Sequence, residues 1–219
     1  GYTLLILITS MDTHVTFVLD SSGSMSAIRE DTIGGFNTFL EDQQAEEGSA
    51  TVSLVDFNST VSVTYRGMAI EGAEKLTSET YAPGGQTALY DAIVTSTEDT
   101  TEFISGIDAD NRPENVIVVV LTDGKENASE TPQHMVQERV ETTQTEYGWE
   151  FLFIGANQDA ALTAEGMGID KQNSLDMSHS GDGARAAYDS TSERISEVRQ
   201  TGGTSGYTEE DRRRQDESS

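Results

Sequence analysis

Three short stretches of this chain could bring oxygen ligands to one point. Asp20-Ser21-Ser22-Gly23-Ser24 carries a carboxylate and two hydroxyls at alternate positions of a glycine-relaxed loop. Gly84-Gly85-Gln86-Thr87 offers a further hydroxyl, and Thr122-Asp123-Gly124 a second carboxylate. No His or Cys accompanies them. A set built from Asp20, Ser22, Ser24, Thr87 and Asp123 holds only hard oxygens, which suit Mg²⁺, Mn²⁺ or Ca²⁺ rather than zinc or copper. Mg²⁺ takes about six oxygens near ~2.1 Å and keeps waters, so a partial protein shell leaves a position open. A plainer reading stands beside this one. Ser22 or Ser24 could cap a helix beginning near Met25, Thr87 could cap one beginning at Ala88, and Asp123-Gly124 could be an ordinary turn. Capping and ligation are compatible, because a serine oxygen has two lone pairs.

The elements that must position these residues alternate between strand and helix. Val15-Thr16-Phe17-Val18-Leu19 is an apolar, β-branched run and reads as a buried strand. Ile28, Thr32, Phe36 and Leu40 follow at the spacing of a helix. Thr51 to Asp56 and Val61 to Tyr65 flank a short polar link, which predicts a hairpin and therefore one antiparallel strand. A helix carrying Leu89, Ile93, Phe103 and Ile104 comes after the Pro83-Gly84-Gly85 break. Asn115 to Leu121 is the most hydrophobic run and predicts a central strand. Thr131-Pro132 reads as a cap followed by proline at the first helical position, with Val136, Val140, Thr143 and Tyr147 keeping that helix's period. Glu150 to Gly155 reads as a strand, Asp159 to Glu165 as a short helix, Leu175 to Met177 as a last strand and Asp182 to Arg199 as a closing helix. The pattern predicts an α/β doubly wound, Rossmann-like fold. Its six-stranded sheet is mostly parallel, with one antiparallel edge strand and helices on both faces. Ligands of such folds bind beyond the carboxyl ends of the strands, where Asp20 and Asp123 fall.

Asp20-x-Ser22-x-Ser24, the later Thr87, and Asp123-Gly124 behind a hydrophobic strand resemble the metal-ion-dependent adhesion site (MIDAS) of von Willebrand factor A (VWA) domains. The resemblance covers roughly residues 12–200. Thr32-Ile33-Gly34-Gly35-Phe36-Asn37, Gly148-Trp149-Glu150-Phe151 and Gly155-Ala156-Asn157 are similar to small stand-alone members from microbes and their viruses. The resemblance implies a sheet ordered 3-2-1-4-5-6 with the second hairpin strand antiparallel. It also implies direct ligation by Ser22 and Ser24, and ligation by Thr87 directly or through water. Asp20 and Asp123 would act mostly through coordinated water. The open position is filled in the family by a glutamate or aspartate of a partner protein. A divalent-metal-dependent protein-binding module is therefore expected, with Mg²⁺, or else Mn²⁺ or Ca²⁺, as its ion. The alternative role is a regulatory subunit beside an AAA+ ATPase, as in chelatase-like systems, or a part of a stress or viral assembly.

Composition narrows the field further. The 219 residues include 39 acidic and 13 basic ones, a net charge of −26, and no cysteine. Lys75, Lys125 and Lys171 are the only lysines. So acidic a surface repels itself, and that repulsion largely vanishes at molar salt, where the screening length is about 3 Å. The excess acid reads as adaptation to a salt-rich cytoplasm of a halophilic source. A disordered acidic protein or a nucleic-acid mimic are the rival readings. Acid spread along periodic segments argues against disorder, and the lack of a basic patch argues against a nucleic-acid partner. The missing cysteines exclude a disulfide framework and permit a reducing interior.

Catalysis is disfavoured. A dehalogenase-type phosphatase needs a second acid two positions after Asp20, and Ser22 stands there. His14, His134 and His179 fall away from the motif and read as surface or packed histidines, and no Gly-x-x-x-x-Gly-Lys loop is present. A metal-dependent hydrolase is thus the least favoured reading. The apolar stretch Tyr2 to Thr9 is far short of the ~20 residues that span a bilayer, so no membrane partner is expected. Met11, just before a clean strand, reads as the natural start. Residues 1–11 are expected to be a mis-called start or a non-native extension, with a truncated signal peptide as the alternative. Residues 201–219, glycine-rich and then charged, are expected to be a disordered tail.

Overall fold

The strand pattern closes into one six-stranded sheet of order β3-β2-β1-β4-β5-β6. Its strands are β1 (Thr13–Asp20), β2 (Ala50–Phe57), β3 (Val61–Ala69), β4 (Asn115–Thr122), β5 (Glu150–Gly155) and β6 (Ser174–Asp176). These belong to a computed structural model that describes residues 12–219; the expectation for residues 1–11 lies outside them. The β2–β3 pair is antiparallel and every other pair parallel. β1 and β4 sit at the centre, where strand order reverses, and their carboxyl ends carry Asp20 and Asp123 to the same edge.

Side-chain alternation along the strands feeds two cores. Val15, Phe17 and Leu19 face α1 (Arg29–Ala45) and α5 (Gly181–Thr201), packing with Phe36, Phe39, Tyr188 and Ile195. Val18, Val118, Val120, Phe151 and Phe153 form the other core. They pack with Leu89 and Ile93 of α2 (Leu89–Ser105), Val136 and Val140 of α3 (Gln133–Tyr147), and Ala160 and Ala164 of α4 (Ala160–Gly166). Helices thus cover both faces, as the pattern predicts. Among the described residues, no helix is long and apolar enough to cross a membrane.

Three local expectations need correction. First, β3 runs on past Tyr65 to Ala69. Gly67 permits this: its φ is +59°, and a Cβ there would lie 2.2 Å from the Phe103 ring of α2. Second, Thr131 does not cap α3. Its hydroxyl and amide instead bond Asp91 of α2, at 2.6 and 3.0 Å, tying the loop after β4 to the start of that helix. Third, the segment after Gly202 is not a disordered tail. It forms α6 (Glu209–Glu217), opened by a capping box in which the Thr208 hydroxyl accepts from the Asp211 amide and the Asp211 carboxylate from the Thr208 amide. Asp211 is buried beside Arg194 and Arg214, and Arg212 donates to the Ser174 carbonyl. Of the charges that resemble a solvated run in the sequence, Asp211 and Arg214 pair with Arg194 and Glu193 of α5.

Candidate functional site

Asp20 ends β1 fully buried, and its two oxygens are committed to the loops around it. Oδ1 accepts from the Ser22 amide at 2.7 Å, which curls the serine loop back over the strand end. Oδ2 accepts from the Thr122 hydroxyl at 2.7 Å, tying β1 to the end of β4. The Asp20 carbonyl accepts from the buried Tyr81 hydroxyl at 2.5 Å. The neighbouring Ser21 turns the other way and donates to Asp56 at 2.5 Å.

Ser22 and Ser24 face each other, with their hydroxyl oxygens 3.4 Å apart. Ser24 donates to Asp123 Oδ1 at 2.6 Å across a sequence gap of 99 residues. Neither serine caps a helix: residues Gly23–Ile28 form a 3₁₀ turn whose N-cap, Ser22, makes no side-chain cap bond. Thr87 does not cap α2 either, since the N-cap position is Ala88 and it too lacks a side-chain bond. The plainer reading of these hydroxyls as caps therefore fails.

Thr87 is brought in by two clamps. Gly84 N–H donates to the Ser21 carbonyl at 2.8 Å and Gly23 N–H to the Gly85 carbonyl at 3.0 Å, so the glycine loop lies against the serine loop. Gly85 makes that turn at φ +82°. On its other side Thr87 exchanges bonds with Asn127, amide to side-chain oxygen at 2.8 Å and carbonyl from amide at 3.0 Å. A Cβ on Gly124 would meet the Thr87 hydroxyl at 3.2 Å, so Thr87 lies against the residue that follows Asp123.

Asp123 is buried as well, and Asn157, in left-handed conformation at φ +57°, donates to its carbonyl at 3.2 Å. The second carboxylate oxygen, Oδ2, lies 2.8 Å from Nε2 of His179. Motif reading assigned Asp20, Ser22, Ser24, Thr87 and Asp123, and the fold gathers all five at the carboxyl ends of β1 and β4. Thr122 and Asn157, which the sequence motifs contain without a role, and Asn127 lie beside them, and so does His179, which the sequence reading sets away from the motif as a surface or packed histidine. Asn127 and Thr122 stand near the motif in sequence. His179 carries no local signal.

The donor set can be tested against a hard divalent cation on its electrostatics. Burial pushes the Asp20 carboxyl above its ordinary value and the Asp123 charge adds to this, against hydrogen bonds from Thr122 and Ser22. Among the described residues, neither carboxylate has a Lys or Arg partner. Two buried carboxylates beside an exposed serine make a region of negative potential short of positive charge. A divalent cation would relieve it, and oxygen donors are what such an ion takes. The residues fit.

The profile of the von Willebrand factor type A domain matches residues 14–200. The chain belongs to the VWA family. No curated protein matches it. Among solved structures, it is similar to proximal thread matrix protein 1 of the mussel byssus, in a form with a zinc-occupied MIDAS motif. That match has a TM-score of 0.59 at 17% identity, over 83% of this chain and 47% of that one. A von Willebrand factor type A protein of Catenulispora acidiphila gives 0.55 at 14% identity, over 84% and 42%. The von Willebrand domain of the type V pili tip protein Mfa5 of Porphyromonas gingivalis gives 0.60 at 10% identity, over 90% of this chain and 99% of that one. This VWA chain therefore spans about half the length of the byssus protein. At these identities the likeness is one of fold.

Proposed function

We propose that this VWA domain is a protein-binding module whose MIDAS-type site holds one divalent cation, Mg²⁺ or else Mn²⁺ or Ca²⁺, and uses it to capture a carboxylate of a partner protein. The observation that carries this reading is the 2.6 Å bond from Ser24 to Asp123, which joins the two halves of the motif. Ser22, Ser24 and Thr87 would hold the ion through their hydroxyls, with Asp20 and Asp123 balancing its charge. A bound divalent ion supplies the positive charge that an incoming Asp or Glu side chain neutralises. The chain's own residues prepare for that. Ser24 donates its hydroxyl hydrogen bond to Asp123 and so keeps its lone pairs for ligation. Asp20 holds the loop in place through the Ser22 amide, and the Asn127 clamp fixes Thr87.

The same geometry speaks for binding rather than catalysis. Ser24, Asp123 and His179 are in line, but the carboxylate stands in the middle. A hydrolase triad needs the imidazole between acid and serine so that it can take the serine's proton. Here, among the described residues, His179 bonds the acid and not the serine.

Calorimetry in molar KCl tests the proposal. Mn²⁺ or Mg²⁺ added to the wild-type domain should give saturable heats that vanish in the Asp20→Ala, Asp123→Ala double variant. Saturation at a hundredfold over Kd should raise wild-type stability by about 2.7 kcal/mol. A partner captured at high salt should be released by EDTA. Equal heats from wild type and double variant would remove the site.

A further inference from the structure

His179 lies on the loop that joins β6 to α5, 56 residues from Asp123 in sequence. Its contact divides the Asp123 carboxylate in two. Oδ1 accepts a hydrogen bond from the Ser24 hydroxyl, while Oδ2 lies 2.8 Å from Nε2 of His179. A carboxylate only accepts, so Nε2 carries the hydrogen. The Asp123 side chain is completely buried, and among the described residues His179 is the one side-chain partner of Oδ2. Without it that oxygen would be left buried and unpaired, or the carboxylate would rotate away from the serines.

The loop that presents His179 is itself held from both sides. The Ser178 amide donates to the Gln215 side chain at 2.9 Å. The Ser178 and Ser180 hydroxyls both reach the Ser218 carbonyl, at 3.3 and 2.9 Å. The Ser180 hydroxyl also accepts from Gly183 N–H at the start of α5. The imidazole sits between two residues anchored to α6, with about a quarter of its side chain exposed (24%).

We propose that His179 is a positioning residue of the cation site: it holds Asp123 Oδ2 so that Oδ1 stays turned to Ser24 and the serine pair. The role rests on the MIDAS reading above. Partners that orient a metal-site ligand from behind are typically worth about 10–100-fold in metal affinity.

Mn²⁺ titration in molar KCl tests it on wild type, His179→Ala, His179→Leu, His179→Gln and Asp20→Ala, with melting temperatures recorded without metal. His179→Ala and His179→Leu should bind Mn²⁺ about 10–100-fold more weakly than wild type. His179→Gln, whose amide can donate to Oδ2, should recover most of that loss. Metal-free melting should fall modestly in His179→Ala and His179→Leu, the cost of one unpaired carboxylate oxygen, and recover in His179→Gln; titration well below those midpoints reads affinity on folded protein and so separates positioning from support of the fold. His179→Leu keeps the bulk and decides the matter should the alanine variant fail to fold. Wild-type affinity in His179→Leu, or a glutamine variant as weak as leucine, overturns the inference and leaves the function standing. A wild type that titrates no differently from Asp20→Ala overturns both.

Discussion

β1 buries polar side chains near both of its ends. Near its start His14 places Nδ1 2.8 Å from the Thr51 hydroxyl and Nε2 3.0 Å from that of Thr16. Thr16 meets the Thr100 hydroxyl of α2 at 2.6 Å, and Thr100 donates to the Ser96 carbonyl. The ring also lies 4.9 Å from Phe103. At the other end Asp20 and Asp123 are buried as deeply and each carboxylate oxygen has one donor, yet among the described residues no Lys or Arg offsets their charge, and Ser24 beside them is exposed. The lower group is a closed ladder in which hydroxyls and ring nitrogens satisfy one another. The upper group is negative and opens to solvent. Burial and hydrogen bonding do not separate the two clusters; uncompensated charge and access to solvent do, and the proposed binding role rests on that difference.

Acid should break the lower group. Burial pushes His14 down to about 4 from its ordinary 6.5. Because the folded-state value lies below the unfolded one, the unfolded chain takes up the proton first. The stability this represents is whole above pH 6.5 and is lost as pH falls toward 4. Relative to His14→Gln, which does not titrate, wild type should lose about 2.5 kcal/mol between pH 7 and 4.5. Urea melts of both proteins at the two pH values give that difference, and parallel pH profiles would mean that His14 is not held neutral.

A smaller effect comes from removing one rung. Thr100→Val leaves Thr16 without its partner on α2 and should cost about 1–2 kcal/mol at neutral pH. Chemical unfolding measures it, and a stability equal to wild type would show that the ladder is not closed as described.

The smallest effect sharpens the contrast. Asp20→Asn relieves the repulsion with Asp123 and can still accept from the Ser22 amide, so the metal-free protein should change by less than about 1 kcal/mol, in the stabilising direction. It should lose Mn²⁺ binding all the same. A loss of several kcal/mol in metal-free buffer would place Asp20 with the structural group.

Much of this molecule is legible in its amino-acid sequence. Strand runs and helical spacing predicted the doubly wound sheet, because a buried parallel strand needs an unbroken apolar run and an amphipathic helix a repeated face. That Asp20, Ser22, Ser24, Thr87 and Asp123 gather at one end of the sheet could be read because each lies just past a strand or just before a helix, so local order carries the information. Three features could not. The extension of β3 depends on Gly67 passing Phe103, a contact between distant elements. The C-terminal helix α6 has the composition of a solvated tail and is held by pairing with α5, which charge content does not reveal. His179 shows the limit most clearly. Nothing around it in sequence marks it as a site residue, and only the packing of the loop after β6 against α6 carries its imidazole to Asp123. Local patterns determine what each segment can become; which side chains from separate segments meet is decided when the layers pack.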